Sequence, residues 1–141
     1  MSISPQKLRE IIFLLLYSVD FGSSSDEEMV PMLMRELAVS KTVMRQAVEV
    51  KELVCAKREE IDAVITLHSQ SYDFERIPRI ERNVLRLGIF ELIYRSDMIP
   101  GKVAIAEAIR LSRKFSSPES ISFVNAIMDA VFQTQSVCEV K

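Results

Sequence analysis

The chain has 141 residues, with 18 lysines and arginines against 20 aspartates and glutamates and a formal net charge of −2. That length suits one domain, 1–141, with a real core, while three glycines and five prolines are too few to punctuate a sandwich or barrel. An acidic balance excludes a duplex binder that works through global charge, and the longest early apolar run, Ile11 to Tyr17, is too short to span a bilayer. No basic leader with a small-residue cleavage site is expected at the start. Cys55 and Cys138 have no metal-ligand spacing and read as reduced thiols of a cytoplasmic protein.

The spacing predicts an all-α chain of about seven helices. Ser4 before Pro5 is the expected cap and first turn of the first helix. Leu8, Ile11, Ile12, Leu15, Leu16 and Val19 form its stripe, and Gly22 stops it. Ser23 to Ser25 and then Asp26, Glu27 and Glu28 lead into a second, short helix, its acids favoured by the helix dipole. Met29, Leu33 and Leu37 form its inward side, and Pro31 sits harmlessly in the early turns. Ser40 caps a third helix facing inward through Val43, Ala47, Val50, Leu53 and Val54. The charged stretch Lys57 to Glu60 either separates it from a fourth helix or lets the two run together, since nothing there is a strong breaker. Ile61, Val64, Ile65 and His68 share one side of the fourth.

Pro78 opens a fifth helix and Pro100-Gly101 a sixth. The fifth carries an apolar stripe of Val84, Leu85, Leu87, Gly88, Phe90 and Leu92 with Glu91 inside it. The sixth repeats the pattern with smaller side chains at Val103, Ala104, Ala106, Ala108, Ile109 and Leu111. Ser117-Pro118 begins a seventh, buried through Ile121, Val124, Ile127, Met128 and Val131. No repeat or separating linker is visible.

Catalysis would need a constellation of groups. His68 is the single histidine, and it reads as a core-edge or partner-contact residue. Glu59, Glu60 and Asp62 read as a solvated acidic face rather than a metal or acid–base pair. No glycine-rich phosphate loop exists. The chain is therefore expected to be no enzyme and to hold no cofactor or metal.

Charge is unevenly spread. From Arg76 to Lys114 nine basic residues face four acids, a local net of +5, which leaves 9 against 16, or −7, elsewhere. Such a split suggests different partners for different surfaces. A basic, partly aromatic surface suits single-stranded RNA. On periodicity alone Phe123 reads as core, and Arg86, Arg110 and Arg113 as a solvated face.

The strings RNVLRLGIFEL (82–92), SDMIPGKVAIAEAIRLSRKF (96–115) and SFVNAIMD (122–129), with LREIIFLLLYSVD (8–20) and REEIDAVITLHS (58–69), resemble the NusB family of bacterial transcription-antitermination factors. The likeness runs in order over nearly the full chain and is weaker from Gly22 to Lys51. It implies a NusB-like double helical bundle that binds boxA-like single-stranded RNA. RNA-binding positions implied by it are Lys7, Arg9 and Tyr17 in the first helix, with Glu119, Ser122, Phe123 and Asn125 near the last. A second implied surface binds a NusE-like small-subunit ribosomal protein, through Glu81, Arg82 and Arg86, with Glu75 and Arg76. Other Nus factors and RNA polymerase are the further partners implied, with readthrough of ribosomal RNA operons as the outcome and homodimerisation left open. Two other readings stand beside this one. A NusB-like module fused to an RNA methyltransferase would need a cofactor-binding domain that this length does not provide. A protein-binding helical adaptor draws on the thin charge of the first helix, where Pro5 and Gln6 stand in place of basic residues.

Overall fold

In the computed structural model, residues 3–22, 26–69 and 73–140 are described, with backbone alone for 26–29 and 136–140. Seven α-helices are found among them: α1 (Pro5–Phe21), α2 (Asp26–Leu37), α3 (Lys41–Ala56), α4 (Arg58–His68), α5 (Arg79–Tyr94), α6 (Gly101–Phe115) and α7 (Pro118–Val140). A single 3-10 turn, Phe74–Arg76, precedes α5. No strand occurs among the described residues, and no helix there is long and apolar enough to cross a membrane. The chain divides into two compact units, Met1–Ala56 and Lys57–Lys141.

In the first unit α1, α2 and α3 pack on one another. The Ser4 hydroxyl accepts from the Lys7 backbone N–H at 3.2 Å, as the cap reading expects. Gly22 ends α1 in the left-handed region (φ 76°), its N–H donating to the carbonyls of Ser18 and Val19. Ile11, Ile12, Leu15 and Leu16 are buried, and so is Phe13, beyond the predicted stripe. The expected Ser23–Ser25 lead-in and the side chains of Asp26, Glu27, Glu28 and Met29 lie outside the described residues. Leu33 is buried on α2. Ala38 closes the tight link to α3 with a positive φ of 54°, a conformation that costs an L-residue with a Cβ about 1–2 kcal/mol. Ser40 then accepts from the Val43 N–H at 3.2 Å, capping α3.

The α3 face differs from expectation. Leu53 is exposed, while Met44 and Lys51 are buried beside Val43, Ala47 and Val54. The buried row 43, 44, 47, 51, 54 is the truer three-to-four stripe, and Leu53 falls a residue off it. Lys51 keeps its charge matched at its tip, 3.0 Å from Glu52 Oε1.

The second unit is organised around α5, which packs on α4, α6 and α7. From Asn83 to Leu92 every α5 residue is buried, so the helix is enclosed on all sides and not only along its apolar stripe. Gly88 lets its neighbours close in: a Cβ there would stand 2.7 Å from Met128 Cε and 3.3 Å from Ala108 Cβ. On α6 the buried row is Ala104, Glu107, Ala108, Leu111 and Ser112, whereas Val103 and Ala106 of the predicted stripe are exposed. Positions 104, 108 and 111 hold the inward phase, and 103 and 106 fall on the far side of it. On α7 Val124, Ile127, Met128 and Val131 are buried as read, with Ile121 half-buried. α3 and α4 are separate helices, divided at Lys57.

Candidate nucleic-acid and partner surfaces

The entrance to α7 is built by a short turn. Ser120 donates through its hydroxyl and its backbone N–H to the Ser117 carbonyl, at 2.8 and 3.1 Å. Glu119 sits fully exposed in this first turn, and its carboxyl is held below the usual range by its own backbone N–H and by the Ser117 hydroxyl. A carboxylate beside a helix N-terminus is also favoured by the dipole. One turn further, Phe123 is half-buried, while Ser122 and Asn125 are exposed. Phe123 is therefore neither the core residue that periodicity suggested nor a freely solvated ring.

A cleft of about 290 Å³ opens beside it. Arg76, Ile77, Pro78 and Glu81 line one side, and Ser117, Glu119, Ser120 and Phe123 the other. The fold thus gathers two residues expected at RNA, Glu119 and Phe123, with two expected at a protein partner, Arg76 and Glu81. Glu81 is buried and accepts from the Ser116 hydroxyl, which ties the start of α5 to the end of α6. It is not a surface ion pair with Arg82. Arg82 turns instead to the turn before α5, donating to the Ile77 carbonyl at 2.9 Å, with its guanidinium 4.9 Å from the Phe74 ring. Glu75 and Arg76 are exposed on that turn.

Arg86 departs most from the solvated reading. It is only 2% exposed, and its Nε and Nη2 grip Asp62 Oδ1 and Oδ2 at 2.8 and 2.9 Å in a two-pronged pair. Nη1 donates to Asn83 Oδ1 at 3.1 Å, and the guanidinium stands 5.4 Å from the Phe74 ring. Asp62 correspondingly leaves the solvated acidic face, where Glu59 remains exposed. Glu60, also exposed, accepts from the Tyr94 hydroxyl at 2.7 Å. Burial, then this bond and the nearby carboxylate, push the Tyr94 phenol up to about 12. Arg110 folds back on Glu107 at 3.1 Å, while Arg113 is exposed as expected. His68 is half-buried with Nδ1 2.9 Å from the Val64 carbonyl, at the core edge.

Burial also sharpens the charge split. Of the four acids between Arg76 and Lys114, Glu81, Glu91 and Glu107 are buried, leaving Asp97 exposed. Arg76, Arg79, Lys102, Arg113 and Lys114 all remain exposed. The surface of this segment is therefore more basic than its composition.

Lys7, Arg9 and Tyr17 lie on α1 in the first unit, each half-buried. Lys7 and Arg9, two residues apart, project from nearly opposite sides of the helix. Tyr17 stands in an aromatic row with Phe13 and Phe21, at ring-centre distances of 6.2 and 6.1 Å. No group of three or more metal-ligating side chains occurs among the described residues.

The comparisons with known proteins agree on one family. The NusB family profile matches residues 6–133. The transcription antitermination protein NusB of Chlamydia pneumoniae is 38% identical over 134 residues, 95% of this chain and 83% of that protein. Among solved structures, T. maritima NusB superposes with a TM-score of 0.80 at 26% identity, covering 94% of this chain and 93% of that one. A crystal structure of the antitermination factors NusB and NusE in complex with double-stranded RNA gives a TM-score of 0.77 at 27% identity, over 92% and 96% of the two chains. An all-helical fold, a profile match across most of the sequence and relatives that share nearly its full extent lead to one conclusion: the chain belongs to the NusB family.

Proposed function

We propose that this chain is a non-catalytic antitermination factor of the cytoplasm, acting through residues 1–141 as one functional domain. It binds boxA-like single-stranded RNA together with a NusE-like ribosomal protein, and with other Nus factors and RNA polymerase it supports readthrough of ribosomal RNA operons. The observation that carries this reading is the half-buried Phe123 ring in a cleft with the exposed Arg76 guanidinium. A ring to stack on and a cation for phosphate are the two parts from which single-strand recognition is assembled. Exposed Ser122 and Asn125 supply polar contacts to base edges, Glu119 an acceptor for a base amino group, and Lys7 and Arg9 pair with phosphates beside Tyr17. Glu75 and Arg82 meet the protein partner, Arg76 stands where that surface adjoins the RNA cleft, and Glu81 and Arg86 act from within, holding that corner in shape. The solved NusB–NusE–RNA complex supports the pairing of partners.

Gel-shift titration of the chain, with and without the NusE-like partner, tests this. Phe123→Ala is expected to weaken RNA binding by roughly 1–3 kcal/mol with thermal unfolding little changed. The pair of proteins should bind more tightly than either alone, because joined patches raise effective concentration. Lost stability with intact RNA affinity would make Phe123 a packing residue and remove the stacking contact. The adaptor reading keeps one specific support, the opposed placement of Lys7 and Arg9 on α1.

A further inference from the structure

In the first unit, α2 and α3 enclose a groove of about 590 Å³ that the RNA and NusE reading does not use. Its floor is aliphatic: Val30 and Met34, one turn apart on α2, face Met44 and Val48, one turn apart on α3. Arg35, Lys41 and Arg45 line the same groove. All three are exposed, and no ion pair of theirs is found among the described residues. Among the described residues, no carboxylate and no aromatic ring lines the groove.

We propose that this groove docks an acidic amphipathic helix of a partner protein. Each part of the lining answers to one part of such a helix. An aliphatic floor, with Met34 partly exposed over the buried Met44, accepts apolar anchors at i, i+3, i+4 and i+7, because an unbranched thioether adapts to the side chains it meets. Three exposed cations, with no carboxylate beside them among the described lining residues, select glutamates flanking those anchors and disfavour a basic helix. Single-stranded nucleic acid would share the charge preference, but it needs rings to stack on, and none lines the groove among the described residues.

The full-length chain can be titrated with a fluorescein-labelled designed helical peptide of about 16 residues, roughly the length of the two facing helices. It carries leucines at the anchor spacing and glutamates beside them; a second peptide carries lysines in place of the glutamates. The glutamate peptide is expected to bind at least about tenfold more tightly, a preference electrostatic complementarity can supply, with amide shifts confined to α2 and α3. In the R35E/K41E/R45E chain the order of the two peptides should reverse, with unchanged thermal unfolding certifying the fold. A Met34→Glu variant, which keeps the cations, should lose the glutamate peptide as well. No binding of the glutamate peptide, equal binding of both, or an unaltered preference in the charge-reversed chain would overturn the proposal. So would displacement of the peptide by oligo-uridylate, which would reassign the groove to nucleic acid, or a dimer mass in solution that the peptide splits into monomers, which would reassign it to self-association. Phe123→Ala should leave peptide binding untouched, so this result stands apart from the RNA assignment.

Discussion

Arg86 serves three masters at once: the Asp62 carboxylate on α4, the Asn83 amide one turn back, and the face of Phe74. At 2% exposure its charge could not persist without them, since an unpaired buried ion is costly. Truncation therefore removes the two-pronged pair and leaves the Asp62 carboxylate only the looser contact with Arg58, at 3.8 Å. Arg86→Ala should destabilise the chain by about 3 kcal/mol in urea unfolding, and Arg86→Lys should recover less than half, because an ammonium cannot fork across both carboxylate oxygens. A lysine variant as stable as the parent would show that charge alone suffices there. Nothing local announces this partnership. Asp62 and Arg86 are 24 residues apart on different helices, and each taken alone looks like an ordinary surface charge. Phe123 departs from its helical phase for a related reason: phase puts it near the inward face, but phase cannot tell a sealed interior from the wall of a cleft.

Among the helices, α5 has the plainest apolar pattern and the most burial beyond that pattern. Its apolar stripe marked it as helical and inward-facing, and those side chains are buried. Its polar residues Glu81, Asn83 and Glu91 are buried too, which follows from being surrounded by three other helices rather than from any pattern of its own. Gly88 is where that crowding is felt. Alanine there gains about 1 kcal/mol in helix propensity but drives a methyl against Met128, which has no exposed surface to retreat into. Overpacking costs about 1–3 kcal/mol, so Gly88→Ala should be destabilising on balance, on the order of 1 kcal/mol. Met128→Ala in the same chain should make the glycine change less harmful than it is alone; a double-mutant cycle on urea midpoints measures that coupling. The α2–α3 region is the least legible in the sequence. Its lead-in falls where the family likeness is weak, and a groove between two helices has no periodicity to betray it.

Across the whole chain, fold class and helix order were legible because hydrophobic spacing, prolines and caps agreed. The sites were not legible to the same degree, because exposure and pairing are properties of the assembled fold. Charge is the clearest case at this scale. If Lys7 and Arg9 each meet an RNA phosphate, changing both to alanine should flatten the dependence of log affinity on log salt by about 1.4, at roughly 0.7 per contact on a single strand. Filter-binding titrations across a salt series would read that slope, and an unchanged slope would favour the adaptor.

The burial of Glu81, Glu91 and Glu107 carries a broader consequence. A calculated isoelectric point weighs every carboxylate alike, whereas an approaching polyanion feels most strongly the groups that border water. Folding sorts these charges by depth, so a chain acidic on paper can turn a cationic flank toward its ligand without a single extra lysine.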